Sequence, residues 1–271
     1  MEVKDALSAR SIEAGLDTKT MGRNLLYLAE TRSTNDEARK LADAGVAEGT
    51  LVITDYQSAG RGRLERRWEA PPGSSLLTSL IFRPALAPGQ LQRLTMICGL
   101  AVLDAIEVET GLRAGLKWPN DVVIGDAKVG GILTESGFRG ERVEYVVVGV
   151  GLNVNLEPDK LGEGLLMPAT SLAAAVGRKV ARLPLLWAFL HAVEERYERL
   201  GCGDSPQQAW AERLVTVGRR VRVSAAGAVL QGIAEGVDGD GALLVRLANG
   251  EVQRVVAGDV TLRAEAPPGG A

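Results

Sequence analysis

"VVVGVGLNVN", residues 146–155, is the stretch on which the reading of the fold turns. It is a short apolar run bounded by turn residues, which suits a buried strand better than a helix. Side chains of a strand alternate, so Gly149, Gly151 and Asn153 share one face while Val148, Val150 and Leu152 share the other. The valine face belongs against a core. The glycine face leaves a bare strip of backbone, and glycine weakens a strand. A flat ligand, another backbone, a bulge or a tightly packed helix would each account for it, and the strand alone leaves these open.

Outward from that strand the chain alternates strands and helices. "LKWPNDVVIGDAKVGGILTES", residues 116–136, reads as two strands joined by a two-residue Gly125-Asp126 turn. "GTLVITDYQ" (49–57) and "SSLLTSLIFRP" (74–84) are further strands. "GQLQRLTMICGLAVLDAIEVETG" (89–111) spaces apolar residues at helical intervals, as do residues 183–200 and 205–214. "LLYLAETRSTNDEARKLADAG" (25–45) reads as a strand, a cap and a helix, with Thr34 and Glu37 at capping-box spacing and Gly45 as the stop. From Thr216 onward, short alternating strands punctuated by "DGDG" and "ANGE" predict a small β-barrel. The expected units are an N-terminal extension (1–24), a main domain (25–213), the barrel (214–264) and a flexible tail (265–271).

Composition narrows the function classes. A 46% hydrophobic, 24% charged chain of 271 residues is that of an ordinary globular protein, and no apolar run reaches the ~18 residues of a membrane span. The N-terminus lacks the basic-then-apolar pattern of a signal peptide, so a cytoplasmic location is expected. A net charge of −3 counts against general nucleic-acid binding. Cys98 and Cys202 lie too far apart for a CxxC pair, Cys98 reads as a buried thiol, and the single histidine, His191, sits in a helical pattern without HExxH. No zinc hydrolase or disulfide framework is indicated, and no protein-held metal site is expected.

Against this acidic background "QSAGRGRLERRW" (57–68) stands out. Gly60 and Gly62 let backbone approach a ligand, and Arg61, Arg63, Arg66 and Arg67 offer fork-shaped donors for carboxylate or phosphate. The loop is neither a Walker loop nor a dinucleotide fingerprint. A solvated charged loop with Glu65 as its internal partner is the plainer reading. Lys117, Asn120, Asp121 and Lys128 gather polar groups beside apolar strands, where a turn and an exposed hairpin residue would also explain them. Ser33, Thr34 and Asn35 read equally as a helix cap.

Taken in order, "STND", "QSAGRGR", "KWPND", "KVGGIL" and "VGVGLNVN" resemble the biotin protein ligases, which activate biotin with ATP and attach it to a carrier lysine. The resemblance runs from about Leu25 to Leu262. It implies an α+β fold, a mixed β-sheet flanked by helices and followed by the small C-terminal β-barrel. It implies that Ser33, Thr34, Asn35, Gln57, Gly60, Arg61, Gly62, Arg63, Lys128, Gly131, Gly149 and Gly151 form the biotin pocket. It assigns Arg63, Arg66, Trp68, Asn120, Lys128 and Asn153 to ATP and the adenylate, with Trp68 packing on adenine. Arg63, Lys128, Asp121 and Lys117 are the implied catalytic set, Asp121 being the candidate for orienting the acceptor amine. ATP, Mg2+ and biotin are the implied cofactors and substrates, with Mg2+ arriving on the nucleotide. A biotin carboxyl carrier protein or domain of a carboxylase is the implied partner, and some family members pair as homodimers through sheet edges.

The chain departs from the family pattern at Leu64-Glu65, with Glu65 standing where glycine is common. This departure is expected to affect adenylate retention. Only 32 residues precede Ser33, too few for a winged helix-turn-helix, so no operator binding is expected. Octanoyl and lipoyl attachment enzymes of the same fold, and a non-catalytic biotin-binding module, are the alternatives. They lack, respectively, the arginine loop with "KWPND" and any need for a phosphate-handling set.

Overall fold

The structure, a computed structural model, describes residues 7–157, 167–225 and 228–262. The expected tail at 265–271 lies outside these. The main sheet has seven strands in the order β1-β2-β3-β7-β6-β5-β4. They are β1 (Leu25–Thr31), β2 (Leu51–Gln57), β3 (Ser75–Phe82), β4 (Gly115–Lys117), β5 (Asp121–Ile124), β6 (Ala127–Arg139) and β7 (Arg142–Asn153). Only β1 and β2 run parallel, joined by helix α2 (Thr34–Asp43), and the remaining pairs are antiparallel. The sheet is mixed for that reason. A parallel pair needs a crossover, whereas antiparallel neighbours close through tight turns such as Gly125-Asp126, where Gly125 takes φ 57°.

The two faces of β7 do different work. Val146, Val148, Val150 and Leu152 pack with helices α3 (Gln92–Thr110) and α5 (Arg182–Gly201) in the large core. α3 is buried along most of its length because it lies between the sheet and α5, and Cys98 is fully enclosed there. Burial pushes the Cys98 thiol far above its ordinary range. On the opposite face, Tyr145 and Val147 pack with Ala38 and Ala42 of α2. α2 begins at Thr34, level with Gly149, so Gly151 and Asn153 continue past the end of the helix.

Three expectations are corrected. The helix cap is Ser33, without a side-chain capping bond; the Thr34 N–H and hydroxyl go instead to Gln57 Oε1, at 2.8 and 3.1 Å. "LKWPND" holds its own short strand, β4, ahead of a turn through a cis Trp118–Pro119 bond, so the 116–136 stretch contains three strands. The N-terminal segment is part of the core: helix α1 (Ala9–Ala14) buries Ile12, Leu7, Leu16 and Met21 are also buried, and Trp187 donates to the Ile12 carbonyl at 2.9 Å. Two further short helices, α4 (Leu172–Val176) and α6 (Gln207–Glu212), complete the main unit.

The C-terminal strands β8 (Arg220–Ala225), β9 (Ala228–Val237), β10 (Leu243–Arg246), β11 (Val252–Val255) and β12 (Asp259–Leu262) form an antiparallel sheet ordered β11-β10-β9-β8-β12. This five-stranded antiparallel unit is the small C-terminal β-barrel expected from the sequence, and among the described residues its end strands β11 and β12 are not paired with each other. Trp118, only 1% exposed, joins the two units: its backbone N–H donates to the Thr216 hydroxyl and its indole N–H to the Gly241 carbonyl, both at 2.9 Å.

Candidate active site

Past the start of α2, the uncovered strip of β6 and β7 forms the floor of a cleft of about 870 Å³. Gly131 of β6 lies directly opposite Gly151 of β7, so two adjacent strands are bare at the same level. The glycines are not equivalent. A Cβ on Gly149 would lie 2.1 Å from the Asn35 amide oxygen, so that position is bare because the start of α2 fills it. A Cβ on Gly151 would meet the Trp68 indole at 2.7 Å, and one on Gly131 would meet Trp68 and Lys128 at 3.3 Å.

Trp68 reaches the floor from the arginine loop, which folds as a small hairpin. The Trp68 N–H donates to the Gly60 carbonyl at 2.9 Å, the Gly62 N–H donates to the Arg66 carbonyl at 2.7 Å, and Arg61 bridges Arg67 between them. Leu64 at the tip takes φ 53°, a left-handed conformation that costs a residue with a Cβ ~1–2 kcal/mol. The Trp68 indole N–H is buried and has no protein acceptor. A polar group at that spot on a ligand would satisfy it.

Lys128 sits at the start of β6, and simple alternation from Gly131 would aim it at the far face. A bulge in the β5–β6 pairing prevents this: Val122 pairs with Gly130 but Val123 pairs with Lys128, which returns Lys128 to the cleft face beside Asp121 and Gly131. Its backbone is held by Pro168–Thr170, and its ammonium makes an ion pair with Asp121 at 2.5 Å and lies 5.7 Å from the Trp68 ring centre. Asp121 therefore faces Lys128 directly. Lys117, half-buried next to them, has its ammonium pKa lowered, first by desolvation and then by Lys128, with Asp121 opposing. Desolvation likewise lowers Arg63, which donates to Asn120 Oδ1 at 3.2 Å, while Asn120 donates to the Ile132 carbonyl at 2.6 Å. Asn153 closes the far end, donating to the Thr170 carbonyl at 3.1 Å.

At the near end Ser33, Thr34, Asn35 and Gln57 line the cleft. Ser79, which no motif singles out, ties them together: its hydroxyl donates to the Asn35 amide oxygen at 2.6 Å and lies 2.8 Å from the Thr34 hydroxyl. Arg61 borders the cleft but is held by Glu135 and Asp36, each at 2.7 Å, on the outer side of α2. Gly60 is the one expected site residue off the cleft wall, where it accepts the Trp68 N–H instead. Two further stretches of the wall, Met167–Ala169 and Asp259–Leu262, carry no motif that would have singled them out. Among the described residues no cluster of three or more His, Cys, Asp or Glu could hold a metal. No helix among them is long and apolar enough to cross a membrane.

A mixed sheet with this glycine floor defines a class: residues 27–153 match the model of the Biotin/lipoate A/B protein ligase family, and residues 216–263 match that of the Biotin protein ligase C terminal domain. The bifunctional ligase/repressor BirA of Bacillus subtilis is 35% identical over 258 residues, covering 94% of this chain and 79% of that one. The biotin–[acetyl-CoA-carboxylase] ligase of Paracoccus denitrificans is 37% identical over 227 residues, covering 81% of this chain and 92% of that one. The structure of biotin protein ligase from Aquifex aeolicus in complex with biotin and ATP superposes with a TM-score of 0.75 at 28% identity, covering 89% of this chain and 99% of that one. The chain belongs to the biotin protein ligase family.

Proposed function

We propose that this chain activates biotin with ATP to biotinyl-5′-AMP and transfers the biotin to a lysine of a biotin carboxyl carrier protein or domain. One observation carries the reading: the Gly131–Gly151 floor, the Trp68 lid, Lys128 and the Arg63 and Arg66 side chains share a single cleft. The bicyclic ring of biotin binds at the Thr34, Asn35 and Gln57 end of the cleft, and its chain extends along the Gly151 strip toward Lys128 once the Trp68 indole that covers the strip here moves off it. A carboxylate of ordinary pKa is already ionised at neutral pH, so adenylation needs alignment and charge neutralisation, not a base.

Lys128 and Arg63 supply the charge, with Arg66 and Asn120 on the phosphate side and Asn153 beside them. Trp68 closes over the mixed anhydride and keeps water from it. Magnesium fits as a passenger on the ATP phosphates, because Asp121 is already paired with Lys128 and Asp259 with Arg66. In the second step the phosphate of the adenylate draws Lys128 away, freeing Asp121 to accept a hydrogen bond from the incoming carrier amine, which attacks the acyl carbon, forms the amide and releases AMP. Residues 25–213 do the chemistry and 214–264 supply one wall. We assign the work to the cytoplasm, and no nucleic acid to the chain.

The test is mass spectrometry of a carboxylase carrier domain after incubation with the protein, biotin and Mg-ATP. A biotin adduct on one lysine is expected, and an unmodified carrier would overturn the assignment. ATP–pyrophosphate exchange supported by lipoate but not biotin would move the chain to the lipoyl branch of its class.

A further inference from the structure

Behind the near end of the cleft, a carboxylate that is not on the cleft wall fixes the direction of a buried hydrogen-bond row. Thr34, Asn35 and Ser79 are all buried. The Asn35 amide nitrogen donates to Glu135 Oε2 at 2.8 Å and to the Leu133 carbonyl at 3.3 Å. A carboxylate and a carbonyl only accept, so Asn35 turns its NH2 to them and its oxygen to Ser79. That oxygen also only accepts, so the single Ser79 proton goes to it, at 2.6 Å. Ser79 is left with lone pairs. The Thr34 hydroxyl, 2.8 Å from Ser79 and 3.1 Å from Gln57 Oε1, therefore spends its proton on these two neighbours. Both Thr34 lone pairs remain for whatever lies in the cleft.

We infer that Glu135 and Ser79 are positioning residues that make Thr34 a hydrogen-bond acceptor, so that the cleft selects a ring bearing N–H groups, the cyclic urea of biotin, over a ring that bears none. Neither residue touches a reacting atom; they act through Asn35 and Thr34. The identity of the ligand rests on the biotin-ligase reading, whereas the direction of the row does not. With glutamine at 135 the far end can donate as well as accept. Asn35 is then free to turn over, and Ser79 to give its proton to Thr34 and occupy one of those lone pairs.

The experiment compares the full chain with Glu135→Gln, Ser79→Ala, the double variant and Asp36→Asn. Asp36→Asn is the control: like Glu135→Gln it removes a carboxylate held by Arg61, at 2.7 Å, but it takes nothing from the Asn35 side chain. Calorimetric titration gives biotin affinity, pyrophosphate exchange gives KM for ATP and the preference for biotin over lipoate, and urea unfolding without ligand gives stability. Each single variant should weaken biotin about tenfold, on the scale of one hydrogen bond, and the double variant also about tenfold, because the second change acts on a row already broken. The preference for biotin over lipoate should narrow with it. KM for ATP and the biotin affinity of Asp36→Asn should stay at wild-type values, and the stability losses of Glu135→Gln and Ser79→Ala should also fall short of additive. An additive, roughly hundredfold loss in the double variant, an equal rise in KM for ATP, an unchanged preference, or a loss in Asp36→Asn matching that in Glu135→Gln would overturn the inference. Coupled stabilities in a protein whose wild type binds no biotin would leave the direction of the row standing and remove the ligase reading instead.

Discussion

Alanine at Gly151 and alanine at Gly149, two residues apart on one face of β7, should separate the ligand from the fold. At Gly149 the new methyl would lie 2.1 Å from Asn35 Oδ1. That amide cannot step aside: it accepts from Ser79 at 2.6 Å and donates to Glu135 at 2.8 Å and to the Leu133 carbonyl at 3.3 Å. Relieving the clash means breaking those bonds or shifting α2, and the expected loss of stability is ~2–4 kcal/mol. At Gly151 the nearest atom is Trp68 Cε2 at 2.7 Å, on a loop that can move. The fold loses nothing there and gains ~0.4–1 kcal/mol from a less flexible unfolded chain. The overpacking cost of ~1–3 kcal/mol falls on lid closure or on the ligand, roughly a 5- to 150-fold loss in biotin affinity or adenylate formation. Urea denaturation measures the first quantity, and biotin titration calorimetry with pyrophosphate exchange measures the second. If Gly151→Ala bound biotin and formed adenylate at wild-type levels, the glycine floor would not be the ligand wall. If both variants lost stability alike, the distinction drawn between the two glycines would be wrong.

Other expectations follow from single side chains. Glu194 is buried and would have a raised pKa by desolvation alone, but backbone N–H groups of Lys19, Met21 and Thr20 hold its carboxyl below the usual range. Glu194→Gln should cost ~1.5–3 kcal/mol. Because the folded pKa is depressed, that margin is present above the ordinary carboxylate pKa and fades as pH falls through the folded value, so an equal gap in urea midpoints at acid and neutral pH would disprove it. Leu64→Gly removes the ~1 kcal/mol cost of a left-handed side chain at the hairpin tip and should slow adenylate release severalfold; gel filtration of the loaded protein gives the rate, and no change would count against the loop conformation. The Thr78 hydroxyl is buried without a partner, so Thr78→Val should leave stability level or raise it, and a drop of more than ~1 kcal/mol on urea titration would show that the hydroxyl is satisfied.

Much of the architecture was legible because local pattern and tertiary fate agree. The alternation in residues 146–155 marked the core face of β7, and the Gly125-Asp126 turn marked the β5–β6 hairpin. The expected site residues lie around one cleft, apart from Gly60. What could not be read depends on distant partners. Alternation assigns Lys128 to the wrong face, and only the register shift between β5 and β6 corrects it. Gly149 and Gly151 look alike in sequence, yet one is matched to a helix and the other to a lid. Asp259 stands in an unremarkable "GDVTL", and its part in the cleft depends on how β12 docks. The four buried apolar residues of the N-terminal segment, Leu7, Ile12, Leu16 and Met21, are too widely spaced among charges to announce a core element.

The tryptophan of "KWPND" acts as a rivet between the two units. With its main chain bonded to Thr216 and its ring to Gly241, and with Leu116 exchanging backbone bonds with Arg213 and Val215, neither piece can detach without exposing the flank of β4 and unroofing the cleft. Heating should therefore produce one cooperative transition in calorimetry. A trimmed version ending near residue 213 would be left with a sticky strand border and half a catalytic chamber.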